Sequence, residues 1–210
     1  AAGRTDAGVH ALSQIIHFDV DIIRPMHSWV KGLNAHLPNL IKIKWAKIVS
    51  EDFHARYSAK SRKYQYLLLS QPIASAIWTD RCGWTFYELD YNLLLAASKK
   101  FLGKHNFDAF RSSECQAKSP IRTIKVVEVK KFNNFFLFTF VGDGFLHHQI
   151  RNMMATIIKV GRGDMNLDYI DELFEKQNRH LVPATFSPSG LYLANIEYDR
   201  SFNLPDKKNH

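Results

Sequence analysis

Cysteine, long apolar runs and flexible linkers are scarce or missing in this sequence, and each absence narrows what the chain can be. Only two cysteines occur in 210 residues; Cys82 and Cys115 form no CxxC pair, which fits a reducing cytoplasm better than a disulfide framework or a zinc site. No apolar run approaches the roughly 20 residues that span a bilayer. The N-terminus also lacks the charged-then-apolar pattern of a secretory signal. The length predicts one large domain or two closely joined small ones.

Acidic residues are in the minority. The sequence has 28 Lys and Arg against 20 Asp and Glu, a formal net charge of +8. Such an excess favours a polyanionic partner such as nucleic acid, because each neutralised phosphate releases condensed counterions. Solubility alone also explains a basic chain, so charge leaves both explanations open.

Hydrophobic periodicity predicts the elements of the fold. Helical spacing predicts helices at 26–37, between Asp90 and Gly103, from about His147 to Gly161, and at 167–176. Alternation predicts strands at 12–20, 41–49, 62–69, 121–131, 134–141 and 191–198, with a hairpin turn at 132–134. Because the strands come in hairpin-like pairs, the predicted class is α+β, with helices on one face of a largely antiparallel sheet.

The densest local signal is GRTDAGVH at residues 3–10. Glycines on both sides of Asp6 allow a sharp turn and a close approach to a ligand. Arg4 lies two residues before Asp6, so in an extended segment both side chains leave the same face. A guanidinium there would keep Asp6 ionised, as a nucleophile or base must be. A solvated turn in which Asp6 caps the backbone is the alternative that spacing leaves open.

A second segment, FHARYSAKSRKYQY at residues 53–66, interleaves basic and aromatic residues. Its basic side chains are suited to phosphates and its tyrosines to stacking on an unpaired base. An amphipathic strand with its charges in water produces the same pattern, so RNA contact stays a hypothesis. Across the whole chain, the candidates for contact with an RNA backbone are Arg56, Lys60, Arg62, Lys63, Lys118, Arg122 and Lys125.

Two histidines open the third predicted helix in FLHHQIRN, at residues 145–152. Adjacent residues point about 100° apart on a helix, so His147 and His148 rarely share a metal, and polar contacts or core packing are favoured. The N-terminal end of this helix is suited to a phosphate, with Arg151 close by. A metal-dependent hydrolase built on the two histidines lacks a third ligand at metal spacing and is disfavoured.

Four segments together resemble the tRNA pseudouridine synthase A family: GRTDAGVHA, FHARYSAKSRKYQY, FLHHQIRNMM and GLYL. They follow the family's order and spacing, so the resemblance covers essentially the whole chain. It implies isomerisation of uridine to pseudouridine in the anticodon stem-loop of tRNA (uridines 38–40), in the cytoplasm, with no metal or organic cofactor. It also implies a homodimer, and within each chain two ferredoxin-like halves that share a continuous antiparallel sheet.

The resemblance also assigns roles to residues. Asp6 corresponds to the catalytic aspartate, Arg4 to the arginine of the same motif, and Tyr64 to the tyrosine placed against the target base. The substrate-binding residues that we expect are Leu191 under the uracil, Arg151 after the histidine pair, and His10, Arg56, Arg62 and Lys63.

The sequence departs from the family at its start. Family members carry a further strand and helix before the aspartate motif, including a Gly-Trp-Gln stretch. We expect that segment to be missing, so that the first half (1–70) has an open edge and uncovered apolar surface. Residues 71–202 would form the second half and 203–210 a loose polar tail.

A non-catalytic RNA-binding module is the alternative function. Such a module would bind tRNA and form no product, and the substitution Asp6→Asn would not change its behaviour.

Overall fold

The computed structural model describes residues 1–205, so residues 206–210 of the expected polar tail lie outside the described residues. Its helices are α1 (Met26–His36), α2 (Tyr91–Lys99), α3 (Gln149–Gly161) and α4 (Asp168–Lys176). Its strands are β1 (His10–Ala11), β2 (Ser61–Ser70), β3 (Gly83–Thr85), β4 (Gly103–Asn106), β5 (Ile121–Phe132), β6 (Phe135–Gly142) and β7 (Leu191–Glu197). Within residues 1–205, no helix combines the length and the apolar character that crossing a bilayer requires.

The strands join one sheet in the order β1-β7-β2-β6-β5-β4, with β3 paired to β2 beside this path. The pairs β2–β6, β2–β7, β4–β5 and β5–β6 are antiparallel, whereas β1 runs parallel to β7 and β3 parallel to β2. The α+β class with a mainly antiparallel sheet is therefore confirmed. Because β2 lies between β6 and β7, the expected first half pairs directly with the second. The division into 1–70 and 71–202 stays a prediction.

The core forms where one face of the sheet is covered by helices. Every second residue of β6 from 136 to 140 is a phenylalanine no more than 2% exposed. Tyr64, Tyr66 and Leu68, which share one face of β2, are buried as well. Most residues of α3 are buried, and α2 packs on both α3 and β5. Each fully buried aromatic or aliphatic side chain contributes about 1.5–3 kcal/mol. This packing fixes α3, which carries the histidine motif, against the sheet.

Local signals in the second half are confirmed. The side chain of Asp90 caps α2 by accepting a hydrogen bond from the N–H of Leu93 at 2.8 Å. β5 and β6 form the predicted hairpin, and Asn133 in its turn has a φ of 51°, which asparagine tolerates better than most residues. The predicted helices α1, α3 and α4 and the predicted strands β2 and β7 are also present.

The strands predicted at 12–20 and 41–49 are wrong, since neither segment forms one. After β1, the N–H groups of residues 12 and 13 both donate to the carbonyl of Leu193, and the chain then leaves the ladder. In the other segment, the side-chain amide of Asn34 bonds both backbone groups of Ile43, at 2.7 and 2.8 Å, where a strand would place a neighbour. A strand needs a partner ladder, which alternating residue types do not supply. Exposed apolar side chains concentrate in this region: Leu12, Ile16, Phe18, Val20, Ile22, Ile23, Leu40, Ile41 and Ile48.

Gly190, just before β7, offers a test of this packing. A Cβ at Gly190 would lie 2.5 Å from the carbonyl oxygen of Leu67 and 2.6 Å from the amide nitrogen of Gly83. Because both obstacles are backbone atoms, we expect Gly190→Ala to lower the free energy of unfolding by about 3 kcal/mol. Gly32→Ala is the matched control: Gly32 lies inside α1, and no atom of residues 1–205 comes within 4 Å of its added Cβ. This control should stabilise by up to about 1 kcal/mol, and equal urea midpoints for the two variants would contradict the packing described.

Candidate active site

Residues 3–10 form a tight turn around Asp6. The N–H of Val9 donates to the carbonyl oxygen of Asp6 at 3.0 Å, and Gly8 has a φ of 79°, a left-handed conformation that glycine adopts without steric cost. A Cβ at Gly8 would also lie 2.9 Å from Cγ of Pro188. Glycine is therefore required here both by the turn and by the close approach of the segment that precedes β7.

Backbone contacts tie both ends of this turn to the protein. The N–H of Ala2 donates to the carbonyl of Ile15 at 2.8 Å, and Ala2 is buried. On the other side of the turn, β1 pairs with Tyr192 and Leu193 of β7. The position of Asp6 is therefore set by the sheet.

Three side chains, two from just before α3 and one from its first turn, surround the Asp6 carboxylate. Nη1 of Arg151 donates to Oδ2 at 2.9 Å. Nε2 of His147 lies 3.2 Å from Oδ1, and Nε2 of His148 lies 3.2 Å from Oδ2. The Asp6 side chain is 21% exposed, so a ligand can reach the carboxylate although most of it is withdrawn from water. Charge interactions are less screened here than at an open surface.

The backbone before α3 shapes this cluster. His148 has a φ of 64°, a left-handed conformation that costs a residue with a Cβ on the order of 1 kcal/mol and recurs at functional sites. Oε1 of the buried Gln149 accepts a hydrogen bond from the N–H of Leu146 at 2.8 Å, which stabilises the turn into the helix. The N-terminal end of α3 also carries the positive end of the helix dipole, which attracts the Asp6 carboxylate.

Arg151 is held by two acceptors. Its Nε donates to the carbonyl of Phe186 at 2.9 Å while Nη1 reaches Asp6, and its side chain is 13% exposed. Lysine lacks the planar fork that serves both acceptors. From the spacing of the motif, the guanidinium at Asp6 was expected to be that of Arg4. That expectation is wrong: Arg4 is exposed, and within residues 1–205 the guanidinium that pairs with Asp6 is that of Arg151.

The two histidines make the polar contacts expected at a helix start, and their partner is Asp6, which was not expected. Local spacing carries no signal for this contact, because both histidines precede α3 and Asp6 lies far away along the chain. Asp6, His147 and His148 each offer one atom within 4.8 Å of the others, so the three could hold a metal ion. The third ligand that the sequence pattern lacked is Asp6.

Tyr64 of β2 lies close to this cluster and is 9% exposed. Its ring meets that of Phe145 edge-on, with centroids 5.2 Å apart, and a Cβ at Gly3 would lie 3.8 Å from its hydroxyl. Burial raises the pKa of Tyr64 to about 12; Arg62 opposes this shift and the Asp6 charge adds to it. Tyr64 is therefore a neutral phenol at pH 7, able to donate a proton and to stack.

Leu191 and His10 lie where β1 meets β7. Leu191 is 6% exposed and pairs with Tyr66 of β2, so it belongs to the core that borders the site. The His10 ring stacks on Tyr192 with centroids 4.6 Å apart, and its Nε2 lies 2.7 Å from the carbonyl oxygen of Asp80. The substrate contacts expected for Leu191 and His10 stay predictions.

The basic residues expected to contact RNA differ in their exposure and in the contacts that they already make within the protein. Arg56 is exposed, with its guanidinium 5.7 Å from the centre of the Tyr57 ring, and Lys63 is partly exposed. Burial lowers the pKa of Arg62. The guanidinium of Arg62 donates to the backbone carbonyls of Ala2, Arg56, Ala59 and Asp143. The contacts of Arg62 therefore hold the protein together and leave it little capacity for a phosphate.

An open cleft of about 590 Å³ extends from His148, within the range of about 300–1,000 Å³ that is usual for ligand sites. The nitrogen-bearing and hydroxyl side chains that line it are suited to an anionic group. They include Arg111, Ser112, Ser113, Arg179, His180 and Thr185. Arg179 is engaged by carbonyls and side chains of its own surroundings, whereas Arg111 pairs with Asp108 through Nε.

Known proteins match a part of the second half of the chain and, separately, nearly the whole chain. A family profile described as tRNA pseudouridine synthase matches residues 97–199, which include His147, His148 and Arg151. Proteins called tRNA pseudouridine synthase A match nearly the full chain. That of Nitrosomonas eutropha is 47% identical over 205 residues, 98% of this chain and 74% of the relative. Those of Dechloromonas aromatica and Methylobacillus flagellatus are 44% and 46% identical, each over 98% of this chain and 78% of the relative.

The surroundings of His148 predict how its titration responds to the Asp6 charge. Burial lowers the pKa of His148 from 6.5; His147 and Arg151 lower it too, whereas the Asp6 carboxylate raises it. We therefore expect Asp6→Asn to lower the His148 pKa further, because a negative charge that stabilises the imidazolium is removed. The imidazole Cε1–H signal, followed by NMR against pH, measures this shift. Asp168→Asn, at an exposed position in α4, should leave it unchanged, and a rise in Asp6→Asn would contradict the geometry.

Proposed function

The chain belongs to the tRNA pseudouridine synthase A family, and we propose that it isomerises uridine to pseudouridine in tRNA with Asp6 as the catalytic carboxylate. The observation that carries this proposal is the set of contacts at Asp6. A partly buried carboxylate is oriented by Arg151 at 2.9 Å, next to an aromatic side chain, Tyr64, that stays protonated at neutral pH.

The proposed reaction needs few catalytic side chains because it is an isomerisation. The C1′–N1 bond of uridine breaks, the base turns, and a C1′–C5 bond forms; C5 loses a proton and N1 gains one. Atoms and electrons balance within the substrate, so no external oxidant, reductant or energy source is consumed. The enzyme must expose the base, hold the fragments together and move one proton.

Asp6 initiates cleavage by one of two routes, attack on the pyrimidine ring or removal of a ribose proton. Both routes use a charged carboxylate beside the bond between sugar and base. Arg151 holds Oδ2 in place, and the low exposure of the pair keeps this orientation in a weakly screened setting. Arg4, which is exposed, stays a candidate for contact with the substrate.

Tyr64 and Leu191 supply the surroundings of the base. Unstacking the target uridine costs a few kcal/mol, which contacts in the pocket must offset. Tyr64 offers a ring for stacking and a hydroxyl that can take part in the transfer of the C5 proton. Leu191, at the start of β7, offers an apolar wall that excludes water.

The RNA backbone is bound by the exposed basic side chains. Arg56 precedes β2, Lys63 lies within it, and Arg111 lines the cleft that extends from His148. The positive net charge supports this mode of binding. The resemblance described above is the support for the finer parts of the proposal: uridines 38–40 of the anticodon stem-loop as targets, a homodimer, and a cytoplasmic location.

An assay of product separates this proposal from a non-catalytic RNA-binding module. Unmodified tRNA is incubated with the chain, and its nucleosides are analysed by mass-resolved chromatography after carbodiimide labelling of pseudouridine. We expect pseudouridine with the unaltered chain and a loss of at least about a thousandfold in rate for Asp6→Asn, because the charged group is removed while its shape is kept. Asp168→Asn is the matched control and should keep the rate. Near-normal turnover by Asp6→Asn would refute the role of Asp6, and tRNA binding without product by the unaltered chain would favour the binding module.

A second prediction separates a phosphate contact from a structural arginine. Arg56→Ala should reduce the slope of log binding constant against log salt by about one, because one phosphate contact is lost. Arg62→Ala should leave that slope unchanged and lower the urea midpoint instead, because four backbone carbonyls lose their donor. Salt titrations of tRNA binding and urea denaturation of both variants provide the comparison. The opposite pattern would show that Arg62, not Arg56, is the RNA contact.

A further inference from the structure

His147 and His148 converge on Asp6, and the proposed reaction gives neither histidine a role. One carboxylate oxygen and one ring nitrogen from each imidazole lie within 4.8 Å of one another, and Nε2 of each histidine is 3.2 Å from an oxygen of Asp6. A tetrahedral zinc ion with bonds of about 2.0–2.1 Å separates its donors by about 3.4 Å. The spacing found at Asp6 is therefore close to that of a three-ligand metal site.

We propose that these three residues form an inhibitory site for a transition-metal dication such as Zn²⁺. Two imidazoles and one carboxylate form a donor set that suits zinc and cobalt, whereas magnesium and calcium prefer oxygen donors alone. The bound ion takes the carboxylate that the reaction requires, so an occupied site is inactive. This inhibition rests on the proposed role of Asp6; the binding of the ion does not.

The site is accessible and already assembled. The side chains of His147, His148 and Asp6 are 35%, 26% and 21% exposed, which leaves room for an ion to enter and for water as a fourth ligand. The carbonyl of His147 accepts a hydrogen bond from the N–H of Ser112, and α3 is packed against the sheet. Binding therefore requires small side-chain rotations and no folding of the chain.

The positive charge of Arg151 disfavours metal binding at Asp6, which predicts the direction in which an Arg151 variant changes the metal affinity. Its Nη1 lies 2.9 Å from Oδ2 of Asp6, so a dication bound there is repelled by the guanidinium at short range. Removing this positive charge must tighten metal binding even though it damages the catalytic arrangement. A loose surface site elsewhere on the chain would not respond in this way.

Metal titrations of the full chain, after treatment with a chelator, test the binding. Co²⁺ is followed by its visible absorption, which is strong only in tetrahedral sites, and Zn²⁺ by calorimetry. We expect His147→Gln and His148→Gln each to weaken binding by at least about tenfold, and Arg151→Met to strengthen it. His36→Gln, at an exposed position in α1, is the matched control and should bind like the unaltered chain. Metal binding that is unaffected by both His147→Gln and His148→Gln, in variants with unaltered urea midpoints, would overturn the proposal.

Product formation in the presence of Zn²⁺ tests the inhibition. We expect Zn²⁺ to abolish pseudouridine formation, a chelator to restore it, and Mg²⁺ at the same concentration to have no effect. Full activity with the site saturated by Zn²⁺ would overturn the inhibitory role. If the metal-free chain forms no pseudouridine, the proposed function fails, whereas a Co²⁺ band that is lost in His147→Gln would still support the metal site.

Discussion

The ion pair between Asp6 and Arg151 is the interaction on which the rest of the site depends. It joins residues 145 positions apart, one in the turn before β1 and the other in the first turn of α3. Both side chains are largely withdrawn from water, so removing either partner leaves an uncompensated charge in a weakly screened setting. The orientation of the carboxylate toward a bound nucleotide therefore follows from the packing of α3 on the sheet.

Different elements position the two partners, and both elements contact the segment just before β7. Asp6 is positioned by β1, which pairs with β7, and by the Gly8 turn, which packs closely on Pro188. Arg151 is positioned by α3 and donates to the carbonyl of Phe186. The segment that contains Phe186 and Pro188 thus contacts Arg151 and the turn that carries Asp6. A disturbance of this segment changes the distance on which the chemistry depends.

The parts of the molecule that the sequence predicts correctly are those set by near neighbours in the chain. The cap at Asp90, the apolar stripe of α3 and the β5–β6 hairpin all depend on residues a few positions apart. The strand predicted at 12–20 fails because its stability depends on a partner ladder that a local pattern cannot reveal. In the site, spacing favoured Arg4 as the partner of Asp6, two residues away. The partner at the carboxylate is Arg151, a contact that appears only when α3 packs against the turn.

Single-turnover kinetics of Arg151→Met test most directly the claim that Arg151 acts through Asp6. Tritium release from tRNA labelled at C5 of uridine gives the rate at saturating protein, and a separate titration gives the tRNA dissociation constant. We expect a rate lowered by at least about a hundredfold, because the carboxylate is misplaced, with tRNA affinity changed by less than about threefold. Weakened tRNA binding with a near-normal rate at saturation would contradict this role of Arg151, since that is the result expected of an arginine that binds tRNA and does not orient Asp6.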